Sequence, residues 1–225
     1  QAPACMHSCV GRIRYLGVML YDADKIETCA KAPAAELVDR QLELYLDPND
    51  PSVITAARKA GIADSTITAA QRSPSYKFIK EFKLALPLHP EFRTLPNLFY
   101  VPPLSPVIGA AGERGYSFSS KGLLGAVAEM RLPLSYLASL FSGGNVEKGS
   151  GVLARMIAVR LRRRAVTVAG TQAAESEKAL ADCGLTAAMA DEEYRLTSLA
   201  TVNERIVIPP AHREEAIEML EAASD

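Results

Sequence analysis

Apolar positions recur at helical spacing through two long stretches of the chain, and a proline-rich ribbon of different character separates them. The chain opens with a third pattern. Ile13 to Tyr21 is rich in β-branched and aromatic residues and predicts a short strand, with Gly17 as a bulge. Asp22-Ala23-Asp24 supplies a cap for a short helix through Cys29. A better helix begins at Pro33, where Leu37, Val38, Leu42, Tyr45 and Leu46 line one face until Asp47-Pro48-Asn49-Asp50-Pro51 stops it. Asp50 as N-cap and Pro51 as first helical residue open the next, to about Lys59, with Gly61 past its end. A third starts at Asp64. A fourth opens on Ser73-Pro74 and turns Tyr76, Ile79 and Phe82 inward.

From Leu86 the pattern breaks. Pro87, Pro90, Pro96, Pro102, Pro103 and Pro106 alternate with Phe92, Leu95, Leu98, Phe99, Tyr100 and Val101. Proline fixes φ and has no N–H to give, so this segment is expected to be extended and to form neither a helix nor a central strand. It is too apolar for a solvated linker, so its side chains must bury against either this domain or a partner subunit; the hypothesis taken is a docking ribbon for a partner, with Phe99 and Tyr100 as its contacts. Gly109 to Gly125, rich in Gly and Ser, is expected to be a loop and a domain seam. Helical periodicity then returns. Leu134 to Phe141 ends at Gly143-Gly144, and Val152 to Val166 carries Leu153, Ile157 and Leu161 among Arg155, Arg160, Arg162, Arg163 and Arg164. Glu175–Asp182, Thr186 to about Val202, and Pro210–Ala222 complete the helices, and Arg205–Ile208 reads as a short strand. The fold class expected is mainly α, multi-helical, with a short N-terminal strand segment and an extended Pro-rich segment. It divides into residues 1–21, 22–115 and 116–225.

Composition narrows the function classes. A formal net charge of −1 and 48% hydrophobic residues describe an ordinary globular chain with no basic surplus for nucleic acid. No run reaches the ~18–20 apolar residues of a membrane span, and no signal-peptide pattern opens the chain. Four cysteines in 225 residues are too few for a disulfide scaffold and fit a reducing compartment. Cys29 and Cys183 lie in helical surroundings and read as small buried hydrophobes, and His89 between prolines reads as a hydrogen-bonded structural histidine. His7 and His212 read as scattered surface residues. No HExxH, no Ser-His-Asp order and no Gly-rich phosphate loop is present, so no catalytic residues are assigned.

The remaining chemistry is concentrated at the start. Cys5-Met6-His7-Ser8-Cys9 runs straight into Val10-Gly11-Arg12-Ile13-Arg14-Tyr15-Leu16-Gly17-Val18. Two thiols alone cannot fill a tetrahedral zinc site or hold an iron–sulfur cluster, each of which takes four ligands, so a structural pair remains open on this motif alone. Longer strings say more. The cysteine segment followed by Leu20-Tyr21-Asp22-Ala23-Asp24, then Leu46-Asp47-Pro48-Asn49-Asp50-Pro51, Lys83 through Pro96, Tyr100 through Pro106 and Val207 through Glu214, in this order, resembles the C-terminal portion of the respiratory nitrate reductase beta subunit. Phe99 departs from that pattern, which has Trp there.

The resemblance implies the iron–sulfur electron-transfer subunit of a membrane-associated oxidoreductase, itself not the catalytic subunit. Cys5 and Cys9 would be the last ligands of two different [4Fe-4S] clusters, the remaining ligands lying upstream, so that no cluster is expected on these residues alone and the first dozen residues are expected to be loose. Arg12 and Arg14 would either raise a neighbouring cluster's potential or be two solvated arginines on an outward strand face. The partners implied are a molybdenum catalytic (alpha) subunit and a membrane haem b (gamma) subunit, with membrane contact only through the latter, at the cytoplasmic face of the cell membrane. Two alternatives compete: the beta subunit of a nitrite-oxidising or other molybdenum oxidoreductase, and a helical interaction module with two incidental cysteines. The Arg162-Arg163-Arg164 run reads as a solvated face or subunit contact.

Overall fold

The computed structural model describes residues 3–104, 107, 120–129, 133–168, 173–209, 217 and 221–222. Helices dominate, as expected. Pro3 precedes a single turn, α1 (Ala4–His7), which leads to strand β1 (Arg14–Leu16). Asp22 accepts from the Asp24 N–H at 3.2 Å and caps a 3-10 turn, Ala23–Lys25, that continues into α2 (Ile26–Ala30). α3 (Leu37–Glu43) starts later than expected, because Pro33 to Glu36 closes a separate turn, with Glu36 N–H on the Pro33 carbonyl. α4 (Pro51–Lys59) has the Asp50 cap and Pro51 start that the sequence predicts, and Gly61 follows at φ +80°. α5 (Asp64–Arg72) and α6 (Pro74–Tyr76) follow, α6 passing into a π-helical turn, Lys77–Glu81. That extra residue per turn brings Phe78, which the periodicity passed over, fully into the core with Ile79 and Phe82.

The proline-rich segment corrects two expectations. It contributes strands β2 (Leu86–Pro87) and β3 (Leu98–Tyr100), and β3 is central in the antiparallel sheet β1-β3-β2. The rule against proline in a central strand still holds, since β3 carries none and Pro87 lies on an edge strand. Phe99 is 0% exposed and packs edge-on against Tyr45 at 5.3 Å between ring centres; Tyr100 stacks on Phe141 at 5.8 Å. The expected docking contacts are therefore part of this chain's own core. Gln41 ties the ribbon down, donating from Nε2 to the Pro90 and Thr94 carbonyls, and the Tyr45 hydroxyl donates to the Pro96 carbonyl. His89 has the hydrogen-bonded structural role expected of it: its N–H donates to Leu140 O at 2.8 Å and its Nδ1 lies 2.8 Å from Glu91 Oε1.

The second helical stretch comprises α7 (Ser120–Ala128), α8 (Leu134–Phe141), α9 (Val146–Thr167), α10 (Ala173–Asp182), α11 (Ala187–Ser198) and α12 (Val202–Arg205). α9 is the axle on which α7, α8, α10 and α11 pack. It starts at an Asn145 cap whose side chain accepts from the Lys148 N–H at 3.0 Å. Most of the expected Gly/Ser-rich seam lies outside the described residues, as do His212 and most of the last expected helix. In place of a strand at Arg205–Ile208, Ile206 makes a single parallel bridge to Leu16. Tyr15, Val38, Phe78, Phe99, Leu123, Ile157 and Leu196 belong to one apolar cluster, so the N-terminal strand, the ribbon and the later helices share a core. Cys29 is buried and Cys183 half-buried against α9 and α11, as small apolar side chains. Among the described residues no helix is long and apolar enough to cross a membrane.

Candidate functional site: the cysteine turn and its cations

From Pro3 onward the N-terminal segment is anchored rather than loose. Met6 is 0% exposed and pins α1 to the body, while Ser8 donates from Oγ to the Ala4 carbonyl at 2.9 Å and closes the turn. One turn places Cys5 outward and sends Cys9 down, so Cys5 is exposed and Cys9 is 8% exposed. The chain then reverses: Arg12 N–H donates to the Cys9 carbonyl at 3.1 Å, and Arg12 itself takes a left-handed conformation at φ 50°. The reversal aims the backbone N–H groups of Ile13 and Arg14 at the Cys9 sulfur. Burial raises the thiol's pKa, but these two donors and the charges of Arg14 and Arg205 outweigh it, and the net result is a thiol held below its ordinary value.

The arginines expected beside the cysteines are where the sequence put them, with more specific contacts. Arg14 donates from Nη1 to the Cys5 carbonyl at 3.1 Å and lies over the Tyr100 ring at 5.9 Å. Arg12 donates from Nη1 to the Ser198 carbonyl at 2.9 Å, tying the turn to the end of α11. Val101 N–H donates to Ile13 O at 2.8 Å and extends the strand pairing beyond β1. The turn is thus positioned by the central strand and by α11, both made of later sequence.

Behind the turn lies a cavity of about 180 Å³ between Arg12, Ile13, Tyr15, Pro103, Arg160 and Glu193. Buried polar atoms collect there and beside it. The Tyr15 hydroxyl, Glu193 Oε2, and Nε and Nη2 of Arg205 have no hydrogen-bond partner among the described residues. Burial raises the Glu193 carboxyl to about 8 despite the opposing charge of Arg160, and burial also raises the Tyr15 phenol. Sequence reasoning gave neither Glu193 nor Arg205 a functional role. Glu193 did leave a signal, since it shares the inward stripe of α11 with Ala190 and Leu196.

Among the described residues no three His, Cys, Asp or Glu side chains gather as a metal-binding group. The donor chemistry at Cys9 nevertheless suits a metal-bound thiolate: a soft ligand, deprotonation favoured, with N–H groups directed at the sulfur. Cys9 fits as one ligand of a larger set, and Cys5 has the exposure to be another.

Sequence comparison bears on what that set is. The model of the family Respiratory nitrate reductase beta C-terminal matches residues 104–187. A respiratory nitrate reductase 1 beta chain of Escherichia coli (strain K12) is 50% identical over 221 residues, 97% of this chain and 42% of its own length. A nitrate reductase beta chain of Bacillus subtilis (strain 168) is 43% identical over 216 residues, 96% of this chain and 44% of its own length. Over nearly its whole length the chain is similar to respiratory nitrate reductase beta chains. A respiratory nitrate reductase beta chain of Bradyrhizobium is also similar, at 39% identity over 223 residues, 98% of this chain and 65% of its own length. The chain thus spans less than half the length of the first two relatives.

Proposed function

We propose that this chain is the C-terminal part of the electron-transfer subunit of a respiratory nitrate reductase, and that Cys5 and Cys9 each give a thiolate to a different [4Fe-4S] cluster. The observation that carries the reading is the Cys9 turn, where two backbone N–H groups and two arginines favour a thiolate in a buried position. The collinear similarity to nitrate reductase beta chains supports it. A bound iron–sulfur cluster supplies a one-electron carrier. The chain's own residues hold the two sulfurs on one short, anchored turn, keep water from Cys9, and stabilise negative charge there. Electrons would run from a membrane haem b subunit that oxidises quinol to a molybdenum subunit that reduces nitrate to nitrite. The subunit would sit on the cytoplasmic face of the membrane, attached through its haem partner.

The test is Cys9→Ala and Cys5→Ala in the intact complex, followed by iron analysis and electron paramagnetic resonance. Each variant is expected to lose or convert one iron–sulfur signal, a different one in each case, with quinol-dependent nitrate reduction falling at least tenfold. Parental iron content and spectra in both variants would refute the ligand assignment.

A further inference from the structure

Arg205 ends α12 and is held in place from both sides. Its helix is closed at the start by reciprocal Thr201 and Glu204 capping, with Thr201 N–H on Glu204 Oε2 at 2.9 Å. The residue after it, Ile206, bridges to Leu16, and Val207 N–H donates to the Leu16 carbonyl at 3.4 Å. The arginine is therefore pinned against β1, the strand that begins at Arg14, whose N–H faces the Cys9 sulfur. Its side chain is 8% exposed, and neither Nε nor Nη2 has a hydrogen-bond partner among the described residues.

A guanidinium cannot shed its charge, so burial without an anion is expensive. The buried carboxyl of Glu193 does not supply one. Glu193 shares the surroundings of Tyr15 with Arg205, but burial keeps its carboxyl protonated near neutral pH. Glu204 is engaged with Arg195 at 2.7 Å and with the Thr201 cap. Cys9, buried on the turn that leads into β1, is the group there that becomes anionic once it binds a metal as its thiolate. Arg12 and Arg14 spend their hydrogen bonds on the Ser198 and Cys5 carbonyls, which leaves Arg205 as the cation beside this turn with buried, uncommitted donors.

We propose that Arg205 is the buried countercharge of the metal–sulfur centre that Cys9 helps hold, a positioning residue that raises that centre's reduction potential. The inference rests on the electron-transfer reading above. One electron entering such a centre adds one negative charge, and a fixed cation in a low-dielectric setting stabilises the reduced form over the oxidised one.

The experiment is a potentiometric titration of the intact complex, monitored by electron paramagnetic resonance, for the parent, Arg205→Gln and Arg205→Lys. In Arg205→Gln one centre is expected to become harder to reduce by at least threefold in its equilibrium constant, about 28 mV at 59 mV per decade for one electron. The same centre should be the one lost in Cys9→Ala, and Arg205→Lys should stay within threefold of the parent. An Arg205→Gln complex with full iron content and unchanged potentials overturns the proposal while leaving the electron-transfer reading intact. A parent complex without iron–sulfur signals overturns that reading first. If the glutamine variant does not assemble, the lysine variant decides. Assembly with a potential within threefold of the parent supports the countercharge role, whereas a shift beyond threefold, or failure to assemble, makes Arg205 a packing and hydrogen-bonding residue only.

Discussion

Glu193 lies on the inward stripe of α11 with Ala190 and Leu196, a position that an apolar side chain would ordinarily fill. Burial raises its carboxyl to about 8, from an ordinary value near 4.5 in the unfolded chain. Between those values the folded state holds a proton that the unfolded state has lost, so stability declines as pH rises from about 4.5 through about 8. The contribution is fully present at acid pH and gone above about 8. Glu193→Gln keeps the shape of the neutral acid and removes the titration. The variant should match the parent near pH 4 and be more stable than it at pH 8.5, by on the order of a few kcal/mol. Thermal melts of the intact subunit at the two pH values check this; parallel pH profiles in parent and variant would contradict it. Residues of this kind are the hardest to read from sequence. Cys5 and Cys9 announce themselves by type and spacing, whereas Glu193 and Arg205 look like surface charges until the fold removes their water.

At the level of elements, start and stop signals carried most of the information. Asp22, Asp50 with Pro51, and Gly143-Gly144 each act where their side chains or backbone freedom predict, whereas the Asn145 cap starts α9 at Val146, ahead of the Val152 that periodicity gave. The misreadings have physical causes. The ribbon's prolines argued against a sheet, but the register placed proline on the edge strand and three proline-free residues in the middle. The π-helical turn moved Phe78 inward, against the 3.6-residue count. Gly17 is no bulge; it follows β1 and makes room for a neighbour. A Cβ at Gly17 would lie 1.8 Å from Ser73 Oγ and 2.8 Å from Ser75 Oγ, and both serines are buried. Gly17→Ala should therefore cost about 1–3 kcal/mol, as overpacking does. Because the obstacle is a side chain, Gly17→Ala with Ser73→Gly should recover much of the loss. Chemical denaturation of the intact subunit reads both, and a Gly17→Ala variant as stable as the parent would show that the serines simply rotate away.

The molecule as a whole joins the strand after the cysteine turn, the ribbon and the helices in one apolar cluster, and that union decides how the ribbon should be tested. Had Phe99 been a docking contact, its removal would weaken assembly and spare the chain's own stability. Its side chain is fully buried between Tyr45 and the sheet, so Phe99→Ala should instead leave a cavity and cost about 3–5 kcal/mol. Phe92 is the contrasting case in the same ribbon: it is 70% exposed beside the His89 ring, and Phe92→Ala should change stability by no more than about 0.5 kcal/mol. The cluster also predicts where the damage travels. Val101 N–H and the β1–β3 register hold the cysteine turn through the strand that contains Phe99, so loosening that strand should expose Cys9. Thiol alkylation of the metal-free subunit should then reach Cys9 several-fold faster in Phe99→Ala than in the parent, with Phe92→Ala unchanged. Equal Cys9 labelling in all three would mean that the turn is held by α1 and the Arg12–Ser198 contact alone, and that the shared core does not extend its support to the sulfur.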